Sequence, residues 1–128
     1  MTHYDKGSFF ERQLKKSLEE KGFFVVRAAG SGVAGDAPDL IALRSGKGFG
    51  IECKAWKNDI FLDKPTVISY REWEKITGKP VYLAWKKPRK EWRFFSLFTL
   101  RETERGFAIG KKDYEAGMFL DDILKSSK

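Results

Sequence analysis

Two runs rich in strand-forming residues, 39–44 and 49–56, stand on either side of Ser45-Gly46-Lys47-Gly48. No other feature of the chain constrains its fold as tightly. A short glycine-containing turn between two such runs predicts an antiparallel hairpin. With Ser45 to Gly48 as a four-residue turn, Arg44 and Phe49 form the closing pair. Asp39 then falls opposite Lys54, and Ile41 opposite Glu52. Side chains alternate faces along a strand. Asp39, Glu52 and Lys54 therefore share one face, while Ile51 and Cys53 point to the other. Opposed residues lie about 4.5–5.5 Å apart at Cβ, and diagonal ones about 7–8 Å. Two carboxylates and an ammonium thus converge at the open end of the hairpin, beside a glycine-rich loop. A slip of one residue would dissolve the arrangement.

Carboxylates at that separation suit a hard cation such as Mg²⁺, which keeps several waters and binds phosphate oxygens. Such an ion polarises a phosphoryl group and lowers the pKa of a bound water. Carboxylates beside an ammonium favour its charged form. The expected role of Lys54 is therefore electrostatic stabilisation rather than proton abstraction. The same three residues also read as exposed strand charges making cross-strand pairs, and spacing alone leaves both readings open.

Around the hairpin the chain reads as one compact α/β domain spanning residues 1–128, without repeats or long linkers. A helix is expected over residues 8–21. Ser8 and Glu11 have capping-box spacing, Phe10, Leu14 and Leu18 make an apolar stripe, and Gly22 is the stop. Residues 23–27 read as a buried strand, and 29–38, with three glycines and a proline, as loop. Residues 58–65 read as irregular. Ser69 and Glu72 repeat the capping-box spacing, so a short helix is expected over 70–77, ended by Gly78. Strands follow at 81–86 and 92–97, joined by the basic connection Lys87-Pro88-Arg89-Lys90. A brief strand at 107–109 and a final helix over 114–125, weakened by Gly117, complete the reading.

Composition narrows the chemistry. The 128 residues are 41% hydrophobic, enough to build a core. No run approaches the roughly 20 apolar residues of a membrane helix, and the first residues carry no secretion signal. One cysteine and one histidine rule out an internal disulfide and argue against a Cys/His zinc site. A Ser-His or Cys-His nucleophile would have to use His3, near the terminus. The net charge of +7 favours a polyanionic partner, most often nucleic acid. A lone thiol agrees with a cytoplasmic setting.

Pro38-Asp39, followed after twelve residues by Glu52-Cys53-Lys54, resembles the signature of the PD-(D/E)XK nuclease superfamily. The surrounding order is more specific. Lys6-Gly7, Glu11-Arg12, Gly22-Phe23, Val26-Arg27, Ala29-Gly30-Ser31, Pro38-Asp39-Leu40, Ile51-Glu52-Cys53-Lys54 and Trp92-Arg93-Phe94 resemble the archaeal Holliday-junction resolvases over residues 6–97. The resemblance implies a restriction-endonuclease-like fold, a central mixed five-stranded sheet flanked by helices. It implies a Mg²⁺-dependent endonuclease, Mn²⁺ substituting, with no organic cofactor, leaving 5′-phosphate and 3′-hydroxyl ends. By position, Glu11 matches a helix glutamate beside the metal. Asp39 and Glu52 match the metal-binding carboxylates, with the backbone carbonyl of Cys53 as an extra ligand, and Lys54 matches the catalytic lysine. Lys6, Arg12 and Arg27 match basic positions at the DNA, and Ser31 a loop serine implicated in cleavage and DNA contact. Lys57, Lys87 and Arg89 complete the expected DNA-binding set. The loop Gly32 to Ala37 is longer than in some relatives, which leaves the placement of Ser31 and the role of Asp36 open.

Simpler readings stand beside these. Glu11 serves equally as a capping-box partner, Arg27 as a solvated edge charge, Arg12 as a side chain lying over the apolar stripe, and Ser31 as turn chemistry. Cys53 also reads as a small core residue, and the basic connection as a soluble hairpin tip.

Resolving a four-way junction takes paired cuts in two strands, and one chain carries one candidate site. A C2 homodimer is therefore expected. Phe61, Leu62, Val67, Ile68, Tyr70, Trp73, Trp85 and Trp92 are candidates for an apolar interface. Other classes remain in view: a related nuclease of restriction or repair type acting on linear duplex, and a non-catalytic DNA-binding scaffold. An RNA-splicing relative would want an internal histidine, which this chain lacks.

Overall fold

The structure, a computed structural model, describes residues 3–28 and 37–126, with side chains over 7–28 and 37–125. Ser31, Asp36 and the side chain of Lys6 lie outside the described residues. In chain order the elements are α1 (His3–Glu20), β1 (Phe24–Arg27), β2 (Leu40–Arg44), β3 (Lys47–Lys54), β4 (Ile60–Asp63), α2 (Lys64–Thr77), β5 (Val81–Trp85), β6 (Arg93–Ser96), β7 (Arg101–Glu102), β8 (Gly106–Ile109) and α3 (Leu120–Ser126). Short 3₁₀ turns occupy Leu97–Thr99 and Lys111–Ala116.

The central sheet runs β1-β2-β3-β5-β6. It is mixed: β3 and β5 are parallel and the other neighbours antiparallel. The parallel pair arises because β4 and α2 carry the chain over the sheet before it returns as β5. One face is covered along its whole width and the other only in part. Leu14 and Leu18 of α1, with Ile123 of α3, pack on Val25, Leu40, Ala42, Phe49, Ile51, Tyr82, Ala84 and Phe94. Val67 and Tyr70 of α2 and the second sheet pack on Val81, Leu83, Trp85 and Phe95.

The hairpin forms, but its register differs from the expected one. Arg44 pairs with Lys47 rather than Phe49, and Ile41 with Gly50 rather than Glu52. The cause is the turn. Ser45 (φ 48°) and Gly46 (φ 80°) both take the left-handed conformation. That is the two-residue turn whose twist matches the strands, and Lys47 and Gly48 join β3. The shift is of two residues, so every side chain keeps its face, and extending the register sets Asp39 across from Glu52 rather than Lys54.

Other boundaries move for identifiable reasons. Helix α1 starts at His3, so Ser8 and Glu11 lie inside it and do not form a capping box. Helix α2 starts six residues earlier than expected. Asp63 is its N-cap, accepting from the Thr66 N–H at 3.0 Å, and Pro65 sits in the first turn. Its end at Gly78 (φ 70°) is where the sequence puts it. The segment expected to be irregular contains β4, which pairs with β8 in a second sheet of order β4-β8-β7. The expected terminal helix is split at Gly117, where a Cβ would lie 2.5 Å from the Phe95 ring and 2.8 Å from Arg93 Cβ. There the chain passes against β6, with Met118 bridging Phe94.

Of the expected interface residues, Leu62, Val67, Tyr70 and Trp85 are buried core, and Trp73 and Trp92 pack against it. Phe61 and Ile68 are exposed. A different apolar surface stands open. Phe24 is paired with Leu43 and Val26 with Ile41, on the face of β1 and β2 away from α1, and Phe24, Val26 and Leu43 are exposed. Among the described residues, no helix is long and apolar enough to cross a membrane.

Candidate active site

The polar cluster forms where β2 begins and β3 ends. Alternation along β3 sends Ile51 and Cys53 to the α1 side and Glu52 and Lys54 to the α2 side. Asp39, one residue before β2, sits where the two faces meet. Its Oδ2 accepts the Cys53 backbone N–H at 2.8 Å. From the α1 side, the carboxylate oxygens of Glu11 and Asp39 and the Cys53 Sγ all lie within 4.8 Å of one another, a group able to hold a metal ion.

On the other side Glu52 is buried. Its Oε1 accepts from the Tyr70 hydroxyl at 2.6 Å, and its Oε2 lies 3.3 Å from Lys54 Nζ. The Lys54 ammonium also stands 4.9 Å from the centre of the Trp56 ring. Trp56 is held in turn, because its carbonyl accepts from Nε1 of the fully buried Trp85 at 2.8 Å. Glu11 is drawn toward Arg27, whose Nε donates to Glu11 Oε1 at 2.5 Å and whose NH2 donates to Ser8 Oγ at 3.1 Å. Ser8 and Glu11, one turn apart on α1, thus both bind the arginine of β1.

The electrostatics follow from this crowding. Burial pushes the Asp39 carboxyl up to about 8, and the nearby charge of Glu52 adds to the rise. Glu11 is raised by burial, against the opposing pull of Arg27. Burial, then the charge of Asp39, lifts the Cys53 thiol well above its ordinary value. Burial and Glu52 raise the Tyr70 phenol. Buried carboxyls that resist ionisation beside one another are the condition a divalent cation relieves. The carboxylate oxygens of Glu11 and Asp39 are hard donors, of the kind oxygen-seeking divalent cations take. Burial favours the neutral thiol of Cys53, a weaker ligand than a thiolate.

The expected site residues thus fall into two groups. Glu11, Asp39, Glu52, Cys53 and Lys54 come together, with Arg27 joined to them through Glu11. Arg12, Lys57 and Arg89 are exposed. Lys87 is engaged: its Nζ donates to the Lys111 carbonyl at 2.8 Å and stands over the Tyr114 ring at 4.9 Å. Sequence reasoning missed Tyr70 and Trp56. Tyr70 lies one helical turn from Val67 and carries only a core signal; Trp56 lies two residues past Lys54, where strand alternation alone puts it on the same side.

A mixed five-stranded sheet with Asp39 at the mouth of one central strand and Glu52-Cys53-Lys54 ending the next defines the PD-(D/E)XK class of nucleases. The family described as archaeal Holliday junction resolvase (hjc) matches residues 2–128. A crossover junction endodeoxyribonuclease Hjc from Sulfurisphaera tokodaii is 39% identical over 129 residues, covering 97% of this chain and 89% of the relative. One from Archaeoglobus fulgidus is 35% identical over 120 residues, covering 92% and 88%. The crystal structure of Archaeoglobus fulgidus Hjc, a Holliday junction resolvase, superposes with a TM-score of 0.81 at 34% identity, covering 91% of this chain and 97% of that one. The chain belongs to the archaeal Holliday junction resolvase family.

Proposed function

We propose that this chain cuts four-way DNA junctions as a homodimer, by Mg²⁺-dependent phosphodiester hydrolysis at the cluster of Glu11, Asp39, Glu52 and Lys54. The observation that carries the proposal is Asp39, caught between Glu11 on one face of the sheet and Glu52 on the other. Asp39 and Glu52, with Glu11 beside them and the Cys53 carbonyl as a further oxygen, are the residues that would hold the ion. When bound, that ion supplies Lewis-acid polarisation of the phosphoryl group and a more acidic water.

The chain's own residues do the rest. Lys54 presents a positive charge to the negative charge that develops on the phosphoryl oxygens. Its place between Glu52 and the Trp56 ring limits where that charge sits. Arg27 neutralises Glu11, so the pair holds an acidic side chain near a phosphate without net repulsion. Lys6, Arg12, Lys57, Lys87 and Arg89 are assigned to phosphates of the junction arms, and Ser31 to the strand being cut. Such contacts position the duplex without reading its sequence. Specificity for a branch then comes from shape and from the fixed spacing of two sites.

Paired cuts need two sites. The exposed Phe24, Val26 and Leu43, with the half-buried Ile41 beside them, form the surface this reading favours for the second copy.

The test incubates the protein with an immobile junction and a matched linear duplex, in Mg²⁺, Ca²⁺ or EDTA. The expected outcome is symmetric cutting of the junction alone, in Mg²⁺ only. Asp39→Asn should bind the junction and not cut it. Lys54→Ala should bind normally and cut about 10²- to 10³-fold more slowly. Equal cutting of both substrates would point to a general duplex nuclease, and tight binding without cutting to a scaffold.

A further inference from the structure

We infer that Tyr70 is a positioning residue of this site, its hydroxyl fixing the Glu52 carboxylate in the orientation that receives the metal ion. The inference rests on the metal-dependent reading of the cluster. Its basis is the bond from the Tyr70 hydroxyl to Glu52 Oε1, 2.6 Å long and buried. Tyr70 is 2% exposed and Glu52 7%. Neither group turns to water, and the hydroxyl and Oε1 satisfy each other.

Geometry explains why this bond matters more than an ordinary satisfied hydroxyl. Glu52 has two oxygens. Tyr70 takes Oε1 from the α2 side, and Lys54 approaches Oε2 at 3.3 Å. With one oxygen held, rotation of the carboxylate about its last bond is blocked, and Oε2 stays on the side of Lys54. A carboxylate ligand held by a donor of the surrounding shell binds metal in one orientation and loses little freedom on doing so.

Tyr70 is itself immobile. It stands midway along α2, one turn after the fully buried Val67, and its ring packs within the core formed with the second sheet. The helix is tied at both ends, by Asp63 at its start and Gly78 at its end. Through this hydroxyl α2 and the core it packs in reach the Glu52 carboxylate. Without that hydroxyl, Glu52 keeps its place on β3 and its pairing with Lys54 but loses the donor that fixes Oε1.

The test uses Tyr70→Phe, which keeps the ring and removes only the donor. Mn²⁺ affinity is measured calorimetrically on the full chain without DNA. The Mg²⁺ concentration for half-maximal junction cleavage is measured alongside, with junction binding in EDTA as the control. Mn²⁺ binding should weaken about tenfold. The half-maximal Mg²⁺ concentration should rise by the same factor, with the rate at saturating Mg²⁺ and junction binding nearly unchanged. Val67→Ala, a cavity in the same helix face that leaves the hydroxyl in place, should lower the melting temperature and leave Mn²⁺ affinity as it was. Wild-type Mn²⁺ affinity in Tyr70→Phe, or an equal loss in Val67→Ala, would overturn the positioning role. Asp39→Asn separates the two levels. Loss of Mn²⁺ binding there, with none in Tyr70→Phe, removes the inference and leaves the nuclease reading standing. Undiminished Mn²⁺ binding in Asp39→Asn removes both.

Discussion

Asp39 is a carboxyl that the fold holds against its own ionisation. Its ordinary value is 3.8, and in the folded chain it rises to about 8. Between those limits the folded protein keeps a proton that the unfolded chain has released. Unfolding then releases protons, so stability falls as pH rises. In EDTA, the contribution of Asp39 is complete below about pH 4, declines through neutrality and is gone above about pH 8. A divalent ion takes the place of the proton, so added Mg²⁺ should raise the melting temperature more at pH 8 than at pH 5. Asp39→Asn should flatten the decline in EDTA and abolish the gain from Mg²⁺. Thermal melts at the two pH values, with and without the ion, check this, and an equal effect of Mg²⁺ at both would contradict it.

At the scale of elements, what could be read from the chain depends on how local the signal is. The facing of Glu52, Cys53 and Lys54 follows from strand alternation, which survives a register shift of two. The register itself departs from the expected one because Ser45, not a glycine, takes the first left-handed position of the turn. Strand β4 went unseen because it has only four residues and its partner β8 lies far along the chain. Without β4 in view, Asp63 reads as loop rather than as the cap of α2, and Ser69 offers the nearest capping pattern. Gly117 was legible as a helix weakener but not as the reason for a break. That reason is a contact with Phe95, twenty-two residues earlier, and no local pattern encodes it. Gly117→Ala drives a methyl into that ring. It should lower stability by about 1–3 kcal/mol, with cleavage at permissive temperature retained. A denaturant titration reads the shift, and a midpoint equal to wild type would mean that β6 gives way more easily than the packing suggests.

The whole molecule is organised around a sheet with one face left partly open. The α1 side is covered from β1 to β6, whereas α2 and the second sheet cover only the part built on β3, β5 and β6. The open part carries Phe24, 72% exposed, beside Leu43, Val26 and Ile41. Burying such a patch against its symmetric copy removes apolar surface from water at about 25 cal/mol per Å². Because Val26 adjoins Arg27, and Arg27 holds Glu11, contact through this face would set the spacing of the two active sites. Phe24→Glu combined with Leu43→Glu places charges on exposed positions and leaves the core intact. The double variant should run as a folded monomer in light scattering, with its circular dichroism unchanged. Its defect should then appear in coupling rather than chemistry. On a supercoiled plasmid bearing an extruded cruciform, the proposed dimer should make both cuts within one encounter and yield linear product. The monomer cuts once, the cruciform is reabsorbed as supercoiling is lost, and nicked circle accumulates. A double variant that remains dimeric and gives linear product would assign the two-fold contact to another face.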